Sequence, residues 1–272
     1  VALCGQGADE PLGGYGRHRG ARLAEALRRV PGARTLATSL PRPGRTVTLS
    51  RGLDALGARD DLQLLMNAYR LLRDPAKAAL YRPEFARRVH EAAAPPDAVV
   101  ERLRARVAGR SPLGQMLYVD TRLWLPDELL LIADKMSMAE SVELRVPMLD
   151  QDLVRLVESA RPSQHVRRLR GKSLHKQAML ALLPREIVHR PKLGWATPVD
   201  RWLRSELRPL TEEVLLGEGE VCQTLFEPAE LRRLIDSHVA GRADRTRELF
   251  CLLSLGLWHR GVVAARAPVS VG

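Results

Sequence analysis

Over most of this chain, apolar residues recur at helical spacing, and that rhythm predicts a mainly helical fold. The start is different. Val1-Ala2-Leu3 runs straight into a loop holding Gly5, Gly7, Gly13, Gly14 and Gly16, so residues 1–16 read as the end of a buried strand and a glycine-rich turn. From His18 to Val30 the pattern is helical, with Leu23, Leu27 and Val30 on one stripe, and Pro31-Gly32 stops it. Residues 33–50, with Pro41 and Pro43, read as a linker. Helical spacing returns near 52–57, 60–73, 75–90 and 97–108, interrupted by a linker at Ala92–Pro96.

Pro112 to Leu125 and Asp127 to Ser141 predict two further helices, and Asp127-Glu128 suit the positive N-terminal end of the second. Val142 to Leu149 reads as extended. Asp150 to Glu158 and Lys172 to Leu183 are helical, broken afterwards at Arg161-Pro162 and Pro184. A second Gly/Pro loop covers 189–198. Val199 to Val263 reads as three or four helices punctuated by Gly217 and Gly241.

Composition sharpens this picture. Apolar residues form 45% of 272, enough for a sizeable core, yet aromatics are only 4%, so Leu, Ala and Val must fill it. The net charge of +11 raises nucleic acid as a partner. The basic residues are nevertheless dispersed, as in Arg28-Arg29, Arg87-Arg88 and Arg167-Arg168, with no nucleic-acid module beside them. Solvated helix faces are expected, and nucleic acid is not. Cys4, Cys222 and Cys251 show no metal-ligand spacing, which fits reduced thiols in a cytoplasmic protein. No apolar run approaches a membrane span, and no signal-peptide pattern opens the chain.

Three stretches carry candidate chemistry. In Cys4-Gly5-Gln6-Gly7-Ala8-Asp9-Glu10, followed by Gly13-Gly14-Tyr15, bare backbone can approach a ligand and exposed N–H groups favour anions. Asp9 and Glu10 add carboxylates able to hold Mg²⁺ against a pyrophosphate. The same pattern also fits a tight turn capping a helix. The second stretch runs from Leu125-Pro126-Asp127-Glu128 through Asp134-Lys135-Met136-Ser137-Met138-Ala139 to Glu143-Leu144-Arg145-Val146-Pro147-Met148-Leu149-Asp150. There Leu130, Asp134 and Met138 share a helix face. Taken alone, Asp134 and Lys135 fit a surface pair, and the methionines fit core filler. The third is Arg190-Pro191-Lys192-Leu193-Gly194-Trp195, where a lysine between Pro and Gly is either held against a phosphate or simply solvated.

In this combination and order, the stretches resemble the synthetase domain of the asparagine synthetase (glutamine-hydrolysing) family. The likeness covers roughly residues 1–210 and includes Leu183-Pro184, Ile187, Arg190, Lys192 and Gly194. It implies the C-terminal, mainly α-helical part of an α/β ATP-pyrophosphatase fold (adenine nucleotide α-hydrolase-like), with a remnant of parallel sheet at the N-terminus. Residues 1–272 would form a single partial synthetase domain. Within it, 1–16 would be the strand and nucleotide loop, and 17–110 a helical insertion. Residues 111–210 would be a helical core with active-site loops, and 211–272 C-terminal helices. The resemblance implies ATP and Mg²⁺ as cofactors. It also implies adenylation of a carboxylate, aspartate by default, and then attack by ammonia derived from glutamine.

Carried over residue by residue, Cys4, Gly5, Gln6, Gly7, Asp9 and Glu10 would bind the nucleotide, and Asp9 would hold Mg²⁺. Lys192, Gln6 and Lys135 would be the catalytic residues. Several positions depart from the pattern. Cys4 replaces Ser, Pro11-Leu12 an apolar pair such as Leu-Phe, Met148 and Trp195 each a Phe, and Gln6 in place of an acid cannot act as a base. The Ser-Gly-Gly-x-Asp-Ser loop and the N-terminal glutaminase cysteine do not occur in these residues. A C-terminal fragment is therefore expected, inactive alone and partnered by an upstream glutaminase/PP-loop polypeptide, with a homodimer among the expected assemblies. β-Lactam-forming synthetases, peptide cyclases and cell-envelope amidating enzymes of the same family remain alternatives. So does a non-catalytic helical interaction protein that kept the scaffold.

Overall fold

The computed structural model describes residues 1–40, 47–72, 74–92, 97–190 and 197–266. It is mostly helical with one small parallel sheet. Strand β1 (Ala2–Leu3) pairs with β2 (Leu144–Arg145) in the register Ala2 to Leu144 and Leu3 to Arg145. The Ala2 and Cys4 N–H groups donate to the Glu143 and Arg145 carbonyls, each at 2.8 Å. This pairing joins the glycine loop to the Glu143–Asp150 stretch from far along the chain. The extended run predicted for 142–149 shortens because Pro147 lacks an N–H, and Pro147–Leu149 winds into a 3₁₀ turn instead. Asp150 then caps helix Gln151–Ser159, accepting from the Asp152 and Leu153 N–H groups.

The described residues fall into two compact units. The first includes residues 1–40, 47–69 and 97–190. Its core joins Ala21, Ala24, Leu64, Leu65, Val100, Met116 and Val119. Helix Gly16–Leu27 buries His18, Ala21 and Ala24, while Leu23 and Val30 are exposed, so the predicted stripe is not the buried one. Small residues face inward because helices Pro112–Val119 and Val47–Gly57 pack against this helix. The predicted linker at 33–50 contains helix Ala33–Ser39, anchored by buried Ala37, and the start of Val47–Gly57. The rest of that linker, 41–46, and most of the Ala92–Pro96 linker lie outside the described residues.

Two separate helices were expected across 112–141. The chain instead stays helical from Pro112 to Ala139, and Asp120–Leu130 takes the wider π winding around Pro126. A proline ring in an α-helix clashes with the preceding turn, and a wider turn relieves this without ending the helix.

The second unit takes residues 70–72, 74–92 and 197–266. Five α-helices, Val199–Arg204, Arg208–Leu216, Val221–Leu225, Pro228–Val239 and Thr246–Trp258, the last running on into a π turn at His259–Val263, replace the predicted three or four. Leu203, Val214, Leu215, Leu231, Ile235 and Leu249 are among the best-buried side chains of its core. Gly256 has no room for a Cβ against Val214, which lets helix Thr246–Trp258 lie close to Arg208–Leu216. Tyr81, Phe85 and Phe226 form an aromatic cluster with ring centroids 4.9–6.0 Å apart. No described helix is long and apolar enough to cross a membrane.

Candidate active site

The loop that follows β1 is shaped by close approaches that only glycine permits. Gly7 and Gly13 take left-handed φ values of 79° and 78°. A Cβ on Gly7 would overlap Leu149, so the 3₁₀ turn closes directly on the loop. A Cβ on Gly14 would overlap both the Asp9 carboxylate and the Lys172 side chain, and one on Gly171 would overlap the Gly13 carbonyl. These bare positions let Lys172 Nζ reach Asp9 Oδ1 at 2.9 Å, with each side chain 24% exposed. The Gly14 N–H donates to the Asp9 carbonyl at 2.8 Å and closes the turn. Around Gly5, by contrast, the space is open, so its backbone is accessible.

A buried polar network holds this loop from beneath. Glu10, almost without exposed surface, accepts a short hydrogen bond from the Tyr15 hydroxyl. The Tyr15 N–H donates to His18 Nδ1 at 3.3 Å, which assigns the ring proton to Nε2. Nε2 then donates to Asp120 Oδ2 at 2.6 Å, and Arg17 Nε donates to the same oxygen at 2.9 Å. The Tyr69 hydroxyl donates to Asp120 Oδ1 through a short bond. Arg17 also lies over the Tyr15, Trp124 and Tyr69 rings, 4.2, 5.2 and 5.4 Å from their centroids.

Burial alone would raise the Asp120 pKa. The hydrogen bond from His18, with the hydrogen bond and charge of Arg17, outweighs it and holds Asp120 below the ordinary aspartate value. Burial, then the Glu10 hydrogen bond and charge, push the Tyr15 phenol far up, so it stays a donor.

The structure brings some of the expected residues together. Cys4, Gly5, Gln6, Gly7, Asp9 and Glu10 share the loop. Gln6 is half-buried with its Oε1 unpartnered among the described residues. Glu10 points inward to Tyr15, as an anchor of the loop. Lys135 is exposed on helix Leu131–Ala139 and makes no hydrogen bond or ion pair to the loop among the described residues. Lys192, with Pro191, Leu193, Gly194 and Trp195, lies outside the described residues. Lys172 is the residue that sequence reasoning missed. Its signal was the Gly171-Lys172 pair at a helix start, hidden among Arg167, Arg168 and Arg170.

The donor set suits Mg²⁺ with a nucleotide. Asp9 offers a partly exposed hard oxygen beside accessible backbone, and Mg²⁺ typically takes one or two carboxylates and completes its shell with phosphate oxygens and water. Another group of ligand-type side chains, Asp200, His238 and Asp244, is already satisfied internally. His238 Nδ1 accepts from the Arg245 N–H at 3.2 Å, so Nε2 bears the proton and donates to the Asp200 carbonyl, also at 3.2 Å. A protonated Nε2 cannot ligate a metal.

Compared with known proteins, residues 1–260 match the asparagine synthase family. The chain belongs to that family. It is 28% identical over 268 residues to asparagine synthetase (glutamine-hydrolyzing) 1 of Bacillus subtilis, covering 95% of this chain and 40% of that protein. Proteins of Mycobacterium tuberculosis and Mycobacterium bovis, assigned as glutamine-hydrolyzing asparagine synthetases, are 29% identical over 265 residues, covering 95% of this chain and 39% of each relative. The chain thus spans about two-fifths of the length of these curated relatives. No solved structure matches it. As a member of the asparagine synthase family, the chain carries a scaffold associated with amide-forming ligases.

Proposed function

We propose that this chain is the ATP-handling, carboxylate-activating part of a glutamine-dependent asparagine-forming ligase. The observation that carries the reading is the Asp9–Lys172 pair, seated on a bare Gly14 inside a loop that the family match covers. A carboxylate and a lysine pinned side by side next to accessible backbone suit a triphosphate and its counter-ion.

Aspartate is the default acceptor. An oxygen of its side-chain carboxylate attacks the α-phosphorus of ATP, the bond to the β-phosphate oxygen breaks, and pyrophosphate leaves. Ammonia then adds to the acyl carbon, AMP departs with the electron pair of the acyl–oxygen bond, and a proton is lost from nitrogen. Bound Mg²⁺ supplies charge neutralisation for the departing pyrophosphate. Asp9 would hold that ion, and Lys172 and Lys192 would meet phosphate oxygens. Gln6 would orient the reacting carboxylate or amine, since its amide cannot take the proton, and Lys135 would face the cleft. Glu10, held by Tyr15, keeps Asp9 in register. The Ser-Gly-Gly-x-Asp-Ser loop is absent from these residues, so activity would need that loop, and a glutaminase, from polypeptide outside this sequence.

Aspartate-dependent exchange of pyrophosphate into ATP tests the reading, in a polypeptide that joins this chain to a segment bearing that loop. Asp9→Asn and Lys192→Ala should each abolish exchange. Near-normal rates in both variants would remove the site assignment, and exchange only with another carboxylate would reassign the acceptor.

A further inference from the structure

Pro11, the residue directly after Glu10, forms part of the wall of a cavity of about 350 Å³. Small-molecule pockets run from about 300 to 1,000 Å³, so this one suits a ligand of amino-acid size. Its apolar lining comes from Pro11, Leu117 and Pro162. Arg110 and Glu158 bring opposite charges to the lining. The Arg110 guanidinium has no ion pair among the described residues. Glu158 gives one oxygen to Arg122 at 2.8 Å and keeps the other. Burial lowers the pKa of His165, a buried residue of the lining, and the cation of the cavity is Arg110.

We propose that this cavity binds a free α-amino acid with an apolar side chain. Its carboxylate would pair with Arg110, its ammonium with Glu158, and its side chain would lie on Leu117 and Pro162. A lone anion or a lone amine would satisfy only one of the two charges, and a bare hydrocarbon neither. The site also adjoins the glycine loop. A Cβ on Gly13 would stand 3.4 Å from the His165 side chain and 3.2 Å from Val166, so the cavity wall and the loop are in contact. An occupant should therefore register at the loop, as an effector does. The proposal does not rest on the nucleotide reading.

The test is a titration of the ¹⁵N-labelled chain with L-leucine, with isocaproate, which lacks the amine, and with isopentylamine, which lacks the carboxylate. L-leucine should shift the Gly114, Ala160 and Gly13 amides and saturate at millimolar concentration. Each truncated probe should bind at least about tenfold more weakly, as loss of one charged contact implies. Arg110→Gln and Glu158→Gln should each weaken L-leucine binding by a similar factor, and Arg110→Gln, which breaks no ion pair among the described residues, should leave the melting temperature without ligand unchanged. The proposal is overturned if L-leucine moves none of these amides, or if isocaproate or isopentylamine binds as well. The probe comparison on the unaltered chain decides the matter even where a variant misfolds. Mg²⁺-ATP binding, followed separately, reports on the active-site reading alone.

Discussion

Asp120 has no exposed surface, and three donors converge on its carboxylate. Its folded pKa lies below the unfolded value, so the stability it contributes is fully present above the unfolded aspartate pKa. That contribution is lost as pH falls through the unfolded value and then the folded one. Asp120→Asn should cost about 3–5 kcal/mol at neutral pH, the usual loss when one partner of a buried charged group is removed. It should also flatten the acid limb. Urea unfolding across pH 3–7 checks both; an unchanged acid limb would show that Asp120 is not the group responsible.

At Gly14, Ala would place a methyl group inside the Asp9–Lys172 pair. Gly14→Ala should therefore weaken Mg²⁺-ATP binding by tenfold or more, about 1.4 kcal/mol, in calorimetric titration. Gly20, which has open space at its Cβ position in helix Gly16–Leu27, is the control. Gly20→Ala should stabilise the fold by about 0.5–1 kcal/mol and leave binding alone. The loop glycines and Asp9 were legible in the sequence because each needs a distinctive residue type at a fixed offset. Lys172 was not, because a lysine among arginines carries no local mark of the fold that brings Asp9 to it. Asp120 was hidden for a similar reason: its partners Arg17, His18 and Tyr69 are remote in sequence.

Among the elements, the turn before Lys172 is the clearest conflict between sequence and backbone. Arg167 and Arg170 exchange hydrogen bonds of 3.0 and 2.9 Å around Arg168 and Leu169, whose φ values are 48° and 60°. Such a two-residue turn with positive φ at both centres favours Asn-Gly. A non-glycine residue there costs roughly 1–2 kcal/mol, partly offset because glycine adds freedom to the unfolded chain. Leu169→Gly should thus raise stability by about 0.5–1 kcal/mol in thermal unfolding, and Leu169 is exposed enough to lose little packing. Existence of the helices was largely readable from spacing. Their buried faces and joints were less so, since Ala21 and Ala24 outrank Leu23 only once a neighbouring helix is in place. The winding through Pro126 likewise depends on a π turn that no periodicity announces.

For the molecule as a whole, two forces oppose each other. Helix Leu131–Ala139 buries none of its residues and exposes Leu131, Ile132, Met136 and Met138, while β1 pairs with β2 alone among the described residues. Apolar surface of this kind favours association, and a parallel pair left open on one edge adds to it. Against this stands a net charge of +11, which makes copies repel. Repulsion between exposed charges fades once the screening length drops below their separation, from about 10 Å at 0.1 M salt to about 3 Å at 1 M. Hydrophobic attraction is not screened in this way. Sedimentation should therefore show association growing with salt, the reverse of what contacts made by ion pairs would give. Ile132→Glu with Met136→Lys, one turn apart on the same exposed face, should abolish that growth without lowering the melting temperature. Association that weakens with salt, or that persists in the double variant, would place the contact elsewhere on the surface.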